Sequence, residues 1–348
     1  MRLALWHEGG LGDVIDAAHF AIAIRRSRSD IDYFCLYLRN PVQNDLVFSL
    51  VYDNKPVFDG TIQTDIRWSE CVESEARRWD SFIDWRPYVA VEYQTSFLDE
   101  LGETRIHTPV FHQMPDEWRD CYRHLLTSPY INLLQRWQMS LHDIACKSLD
   151  IEPASIGLMD VNIDAPVRWQ VRLAARGNYI TLGSGSDAQQ NKRVKQTKEW
   201  PDSKWEQVVR GLRKEFPRLR ILQVGKQGES HIPGTVSMLG RTSIPEVLWL
   251  LKHSQLNLSC ENGTARMAAA AGTRSVVVCG PTSHHVYGME GNVNIYSDAC
   301  EPCYWRGDKW MVECPNDWGV ICLASIPASR VIDEAATLLR NEKDSPNA

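Results

Sequence analysis

The feature that most constrains this chain is the alternation that begins at Tyr179. Short β-prone runs are each followed by a glycine-rich or polar segment and then by residues at helical spacing. Tyr179–Leu182 leads into Gly183-Ser184-Gly185-Ser186. Trp205, Val208, Val209, Leu212 and Phe216 then form an amphipathic stripe after Pro201, with Asp202 or Ser203 as the expected helix cap. Arg220–Val224 is expected as the next strand, Ile244–Lys252 as a helix and Gln255–Ser259 as a strand. An alanine-rich helix over Gly263–Ala271 and a strand over Ser275–Cys279, ending at Gly280-Pro281, complete the series. Strand–helix repeats of this length imply a parallel sheet covered on both faces.

The first half repeats the theme less cleanly. Arg2–Trp6 reads as a strand, Gly9–Asp13 as a loop, Val14–Arg26 as an apolar helix and Ile31–Leu38 as a second strand. Further β-prone residues lie in Ser81–Tyr93, and Leu133–Leu149 has helical spacing. Pro153, Gly157 and Pro166 break the pattern over Ile151–Val167, where a boundary is expected. With 348 residues there is room for two cores. The expected organisation is a first Rossmann-like domain over residues 1–165, a second over 166–335, and a tail over 336–348. A closing helix is expected at Ala328–Arg340.

Composition narrows the function. Apolar content of 43% and charged content of 24% are those of a folded globular chain. A net charge of −6 argues against nucleic acid as a partner, because phosphate contacts need a basic face. No apolar run reaches the roughly 18–20 residues that span a bilayer, and the N-terminus lacks the pattern of a signal peptide. A cytoplasmic protein without a transmembrane segment is expected. Peripheral membrane association and the oligomeric state stay open.

In open parallel sheets, ligands bind beyond the C-terminal strand ends, where helix N-termini point free N–H groups outward. Gly9–Asp13, Gly183–Ser186, Gly225–Glu229, Glu261–Arg266 and Gly280–Thr282 all fall at expected strand-to-helix junctions. One such turn is ordinary α/β construction; four in one domain suggest a diphosphate-sized site. Ser184, Gly185 and Ser186, followed by Lys192, Arg193, Lys195 and Lys198, combine close backbone approach with hydroxyl donors and cations. Lys192, Arg193 and Lys195 taken singly read as a solvated loop, whereas Trp200-Pro201 pins Lys198 just before a helix.

These segments, in this order, resemble the ADP-heptose lipopolysaccharide heptosyltransferases of glycosyltransferase family nine. The resemblance is carried by Lys198–Trp205, Val224–Glu229, Leu239–Glu246, Glu261–Ala270, Gly280-Pro281-Thr282 and, near the start, Gly10–Ile15. It covers residues 178–288 well and 1–26 fairly, and is weak over 40–170, on the acceptor side. It implies the α/β GT-B fold, two Rossmann-like domains with parallel sheets facing across a cleft. It also implies sugar transfer with inversion from a nucleotide-sugar donor to a glycan, lipid-linked glycan or protein acceptor, without a required cofactor. By the resemblance, Asp13 is the general base; an N-cap for the Val14 helix is its competing reading. Lys198, Ser184, Gly185 and Ser186 would hold the diphosphate, Glu229 the ribose and Thr242 the base. Gly263 and Thr264 would offer helix N–H groups. Where the family usually carries Asp and His, this chain has Glu261 and Arg266, beside the transferred sugar or diphosphate. That departure implies either a different sugar, a reinforced neutralisation of the leaving group, or a nucleotide-sugar-binding module without catalysis.

Cys300, Cys303, Cys314 and Cys322 supply four thiolates, the number for a tetrahedral zinc or iron site. Structural thiols or a labile disulfide are the competing readings, and a nucleic-acid module is disfavoured by the acidic balance. The cluster resembles the four-cysteine, iron-binding segment of family members that glycosylate autotransporter adhesins. A metal here would be structural.

Overall fold

The computed structural model describes residues 1–7, 10–38, 57–63, 75, 78–85, 90–94, 138–156, 167–185, 197–304 and 310–343. The chain divides into two compact units, Met1–Asn162 and Ile163–Ala348. Ser186, Lys192, Arg193 and Lys195 lie outside the described residues, as does most of 40–137, where the acceptor-side information was expected.

In the first unit, β1 (Arg2–His7) runs into α1 (Leu11–Ser27), followed by β2 (Tyr33–Leu38), β3 (Gly60–Gln63), β4 (Ser81–Trp85), β5 (Ala90–Gln94) and α2 (Leu141–Ser148). The sheet order is β3-β2-β1-β4-β5. After their first residue, β1 and β2 are buried without alternation, as strands covered on both faces are. Two expectations change here. The helix begins at Leu11 rather than Val14, so Gly12 and Asp13 are helical residues, with Gly10 in the cap position. The sheet is also not wholly parallel. β5 pairs antiparallel to β4, with Ser81 opposite Gln94, because the four residues between the strands are too few for a crossover.

The second unit opens with α3 (Trp169–Ala174) and continues through β6 (Tyr179–Gly183), α4 (Asp202–Glu215), β7 (Arg220–Gln223), β8 (Val236–Ser237), α5 (Ile244–Lys252), β9 (Asn257–Cys260), α6 (Gly263–Ala270), β10 (Ser275–Val278), α7 (His284–Tyr287), β11 (Val293–Ile295), α8 (Ile321–Ala324) and α9 (Ala328–Lys343). All strand pairs are parallel, in the order β11-β10-β9-β6-β7-β8. This is the doubly wound arrangement, whose order reverses between β6 and β9. On one face Trp205, Val208 and Leu212 of α4 and Val331, Ala335 and Leu339 of α9 pack over Leu182, Leu258 and Val276; on the other, Val171 and Leu250 cover Leu222 and Val224. Pro201, not Asp202 or Ser203, occupies the cap position of α4, and no side chain caps it. Residues 336–343 belong to α9 rather than to a tail, since Ala336, Leu338 and Leu339 are buried. Among the described residues, no helix is long and apolar enough to cross a membrane.

Candidate functional site

At the β6/β9 switch point, backbone groups of two strand ends meet through one side chain that the sequence reading passed over. Asn262 caps α6: its Oδ1 accepts from the N–H groups of Thr264 (3.0 Å) and Ala265 (3.2 Å). Its Nδ2 donates to Gly185 O (2.7 Å) and Gly183 O (3.1 Å), tying the loop after β6 to the start of α6. An Asn directly before a Gly-Thr helix start was the available signal. One expectation is corrected. The Thr264 N–H is taken by Asn262, leaving Gly263 as the helix-start donor of the expected pair.

Beside this junction stands a buried ion triad. Glu261 Oε2 meets Lys198 Nζ at 2.5 Å and Glu261 Oε1 meets Arg266 Nη1 at 2.7 Å. The Glu261 and Arg266 side chains are almost wholly buried, whereas Lys198 keeps 19% of its side chain exposed. Burial alone would raise the Glu261 pKa, but the charges of Lys198 and Arg266 overcome it and hold the carboxyl down at about 2. The triad therefore carries a surplus of one positive charge, presented at the α6 N-terminus, whose dipole favours the same anion. The Arg266 guanidinium also lies 5.4 Å from the centre of the Tyr287 ring. Glu261 and Arg266, the two departures from the family pattern, are thus partners of each other.

Lys198 is held from both sides in sequence. The Thr197 hydroxyl donates to Trp310 O (2.8 Å) and the Thr197 N–H to Met311 O (2.9 Å). Trp200 is fully buried against Trp205, and its indole N–H donates to Leu323 O at 3.1 Å. Trp200 therefore does pin the segment, as expected.

The remaining donor-side residues sit on neighbouring strand ends. The Glu229 carboxylate accepts from Lys226 N–H (2.8 Å) and lies against Gly185 and Gly225, where a Cβ would overlap it. Ser184 follows β6, with its hydroxyl oxygen 3.0 Å from Gln223 Nε2. Thr242 lies in the turn before α5, its Oγ1 buried without a hydrogen-bond partner among the described residues. That turn lines an open depression of about 470 Å³ with Arg168, Gly240, Arg241, Ser243 and Glu246. Arg168 grips Glu246 through both carboxylate oxygens (2.7 and 2.6 Å), which holds the Glu246 carboxyl at about 2.

In the first unit, Asp13 occupies the third position of α1, half-buried, and its Oδ2 accepts from Gly10 N–H at 2.5 Å. Among the described residues nothing engages Oδ1. The side chain thus serves the helix start with one oxygen.

The cysteine segment braces the site. The N–H groups of Cys303 and Tyr304 both donate to Pro281 O (2.9 and 3.1 Å), in the turn after β10. Burial, then the neighbouring Cys300 and Cys303, push the Cys322 thiol up to about 12. Burial acts to raise Cys314 too, but the N–H groups of Val320, Asn316 and Trp318 outweigh it and lower its pKa. Of the two, only Cys314, in its cradle of backbone N–H groups, is shifted toward the thiolate form that zinc or iron takes. Among the described residues, however, no group of three or more His, Cys, Asp or Glu is arranged to hold a metal ion.

Solved structures match the chain over nearly its whole length. ADP-heptose lipopolysaccharide heptosyltransferase II of E. coli is similar at TM-score 0.58 and 14% identity, over 99% of this chain and 100% of its own. The glycosyl transferase family 9 protein of Veillonella parvula DSM 2008 is similar at TM-score 0.58 and 16% identity, over 98% and 97%. TibC, an iron-containing dodecameric glycosyltransferase of enterotoxigenic E. coli H10407, is similar at TM-score 0.61 and 14% identity, over 97% of this chain and 76% of its own. No protein-family model matches the sequence, and no curated protein matches it. At these identities the likeness defines the fold, α/β GT-B with two Rossmann-like domains.

Proposed function

We propose that this protein is an inverting glycosyltransferase. It takes a sugar from a nucleotide-diphosphate donor, with heptose from ADP-heptose the leading choice, and attaches it to a hydroxyl of a lipopolysaccharide core, another surface glycan or a protein. The observation that carries this is the surplus cationic charge of the Lys198–Glu261–Arg266 triad at the switch point between β6 and β9. A nucleoside diphosphate gains negative charge as it leaves the sugar, and fixed cations with helix N–H groups stabilise that charge where it develops. Lys198, Ser184, Gly185, Ser186 and Gly263 surround the diphosphate in this reading. Glu229 accepts from the ribose hydroxyls, and Thr242 borders the base in the depression before α5. Glu261 orders the two cations, and Arg266 adds charge behind Lys198. Heptosyltransferase II is named for ADP-heptose, and TibC has been crystallised with ADP-D-β-D-heptose.

Asp13 is the general base. The acceptor oxygen attacks the anomeric carbon, the carbon–diphosphate bond breaks on the opposite side, and the hydroxyl proton passes to the carboxylate. The test is release of nucleoside diphosphate from ADP-heptose and other nucleotide sugars, with and without candidate acceptors. Asp13→Ala is expected to lower turnover by about 10²–10⁴-fold while donor binding persists. Donor binding with no release, indifferent to Asp13→Ala, would instead mark a nucleotide-sugar-binding module.

Cys300, Cys303, Cys314 and Cys322 are proposed to hold a structural zinc or iron ion, supported by the thiol set, the Cys314 cradle and the described iron content of TibC. Anaerobically purified protein is expected to contain about one such ion per chain, and Cys303→Ser to lose it. A metal-free wild type sinks the idea.

A further inference from the structure

Gln223 closes β7, and its side chain is fully buried. Asn and Gln amides can be placed either way round, but here two backbone groups settle the choice. The Ser230 carbonyl can only accept, and it lies 2.8 Å from Nε2. The Ile232 N–H can only donate, and it lies 2.8 Å from Oε1. The reverse orientation would set oxygen against oxygen and N–H against N–H. Nε2 is therefore the group that reaches Ser184 Oγ at 3.0 Å, and the Ser184 hydroxyl must accept from it.

That assignment has a chemical consequence at the strand end. A serine hydroxyl has one proton and two lone pairs. With the amide filling a lone pair, the proton has to point elsewhere, and among the described residues no group accepts it. Ser184 is itself 8% exposed, beside Gly185 and the start of α6. A serine so held is a hydrogen-bond donor in search of an acceptor from a ligand.

We propose that Gln223 is a positioning residue that makes Ser184 an obligate hydrogen-bond donor to a phosphate oxygen of the bound nucleoside diphosphate. The proposal rests on the donor-site reading above. A carboxamide is required in this role, since an aliphatic side chain offers the hydroxyl no donor and no longer fixes where its proton points. The same Gln also joins the loop after β6 to the segment 230–232, so a purely architectural role is the outcome to separate.

A thermodynamic cycle on the full chain separates them. ADP is titrated calorimetrically into wild type, Ser184→Ala, Gln223→Met and the double variant, with adenosine as the phosphate-free control. Ser184→Ala and Gln223→Met are each expected to weaken ADP about tenfold, the size of one hydrogen bond to a charged group, and to leave adenosine unchanged. Because both remove the same contact, the double variant is expected to match the singles rather than to lose a hundredfold. If Gln223→Met does not fold, Gln223→Asn takes its place, since it keeps an amide but draws it one methylene back from Ser184. Additive losses, or an equal loss for adenosine, would overturn the role of Gln223 while leaving the donor site standing. Failure of wild type to bind ADP would overturn both.

Discussion

Replacing Arg266 by alanine is expected to lower stability by about 3 kcal/mol, near the lower end of what stranding one partner of a buried ion pair costs. Glu261 would keep Lys198 as a neighbour but lose the guanidinium 2.7 Å from its other oxygen, and Tyr287 would lose the cation beside its ring. Urea unfolding at neutral pH reads this directly. The same site sets an acid dependence. The folded Glu261 carboxyl lies at about 2, below its ordinary 4.5, so its contribution is whole above about pH 4.5 and is lost as pH falls through about 2. With Arg266→Ala the carboxyl is expected to titrate at higher pH, and acid unfolding to begin earlier. A variant as stable and as acid-resistant as wild type would show that the triad is not an ionic unit.

Replacing Lys198 by alanine is expected to lower kcat/KM with ADP-heptose by about 10²–10³-fold, the usual loss when one stabilising group is taken from a developing anion. Lys198 is the exposed member of the triad and the one aimed by flanking contacts, Thr197 to Trp310 and Trp200 to Leu323. Lys198→Arg keeps the charge but not the fit to Glu261 Oε2, and is expected to retain an intermediate activity. A variant that turns over at the wild-type rate would remove Lys198 from the diphosphate site.

Much of the second unit was legible because local signals agreed there. The helix Ile244–Lys252 is found with the expected bounds. Ser243 and Glu246 form a capping box, Pro245 suits the first turn, and the apolar spacing runs to Lys252. Other elements gave no such agreement. The helix after β1 begins three residues earlier than its apolar run, because Gly10 and Gly12 read as loop while Asp13 was in fact supporting the first turn. β3 is four residues long and starts on Gly60, too short for a periodic signal. The hairpin direction of β5 follows from connection length rather than from residue type.

For the site, the strand-end glycines, Lys198, Glu261 and Arg266 could be read from the sequence, but the contacts that organise them could not. Glu261 and Arg266 precede and follow the α6 start, so no helical i,i+4 rule joins them. The pair exists because Asn262 turns the chain between them. Gln223 reads as an ordinary strand residue until Ser184, Ser230 and Ile232 are seen around it.

The central claim is that the second unit binds a nucleoside diphosphate at the end of β6 and β9. Calorimetric titration of ADP into the full chain and into Lys198→Ala tests it most directly. The expected result is saturable binding to wild type, weakened about tenfold or more in the variant, as for loss of a charge-assisted contact. No binding to wild type at millimolar ADP, or equal affinity in the two proteins, would contradict it.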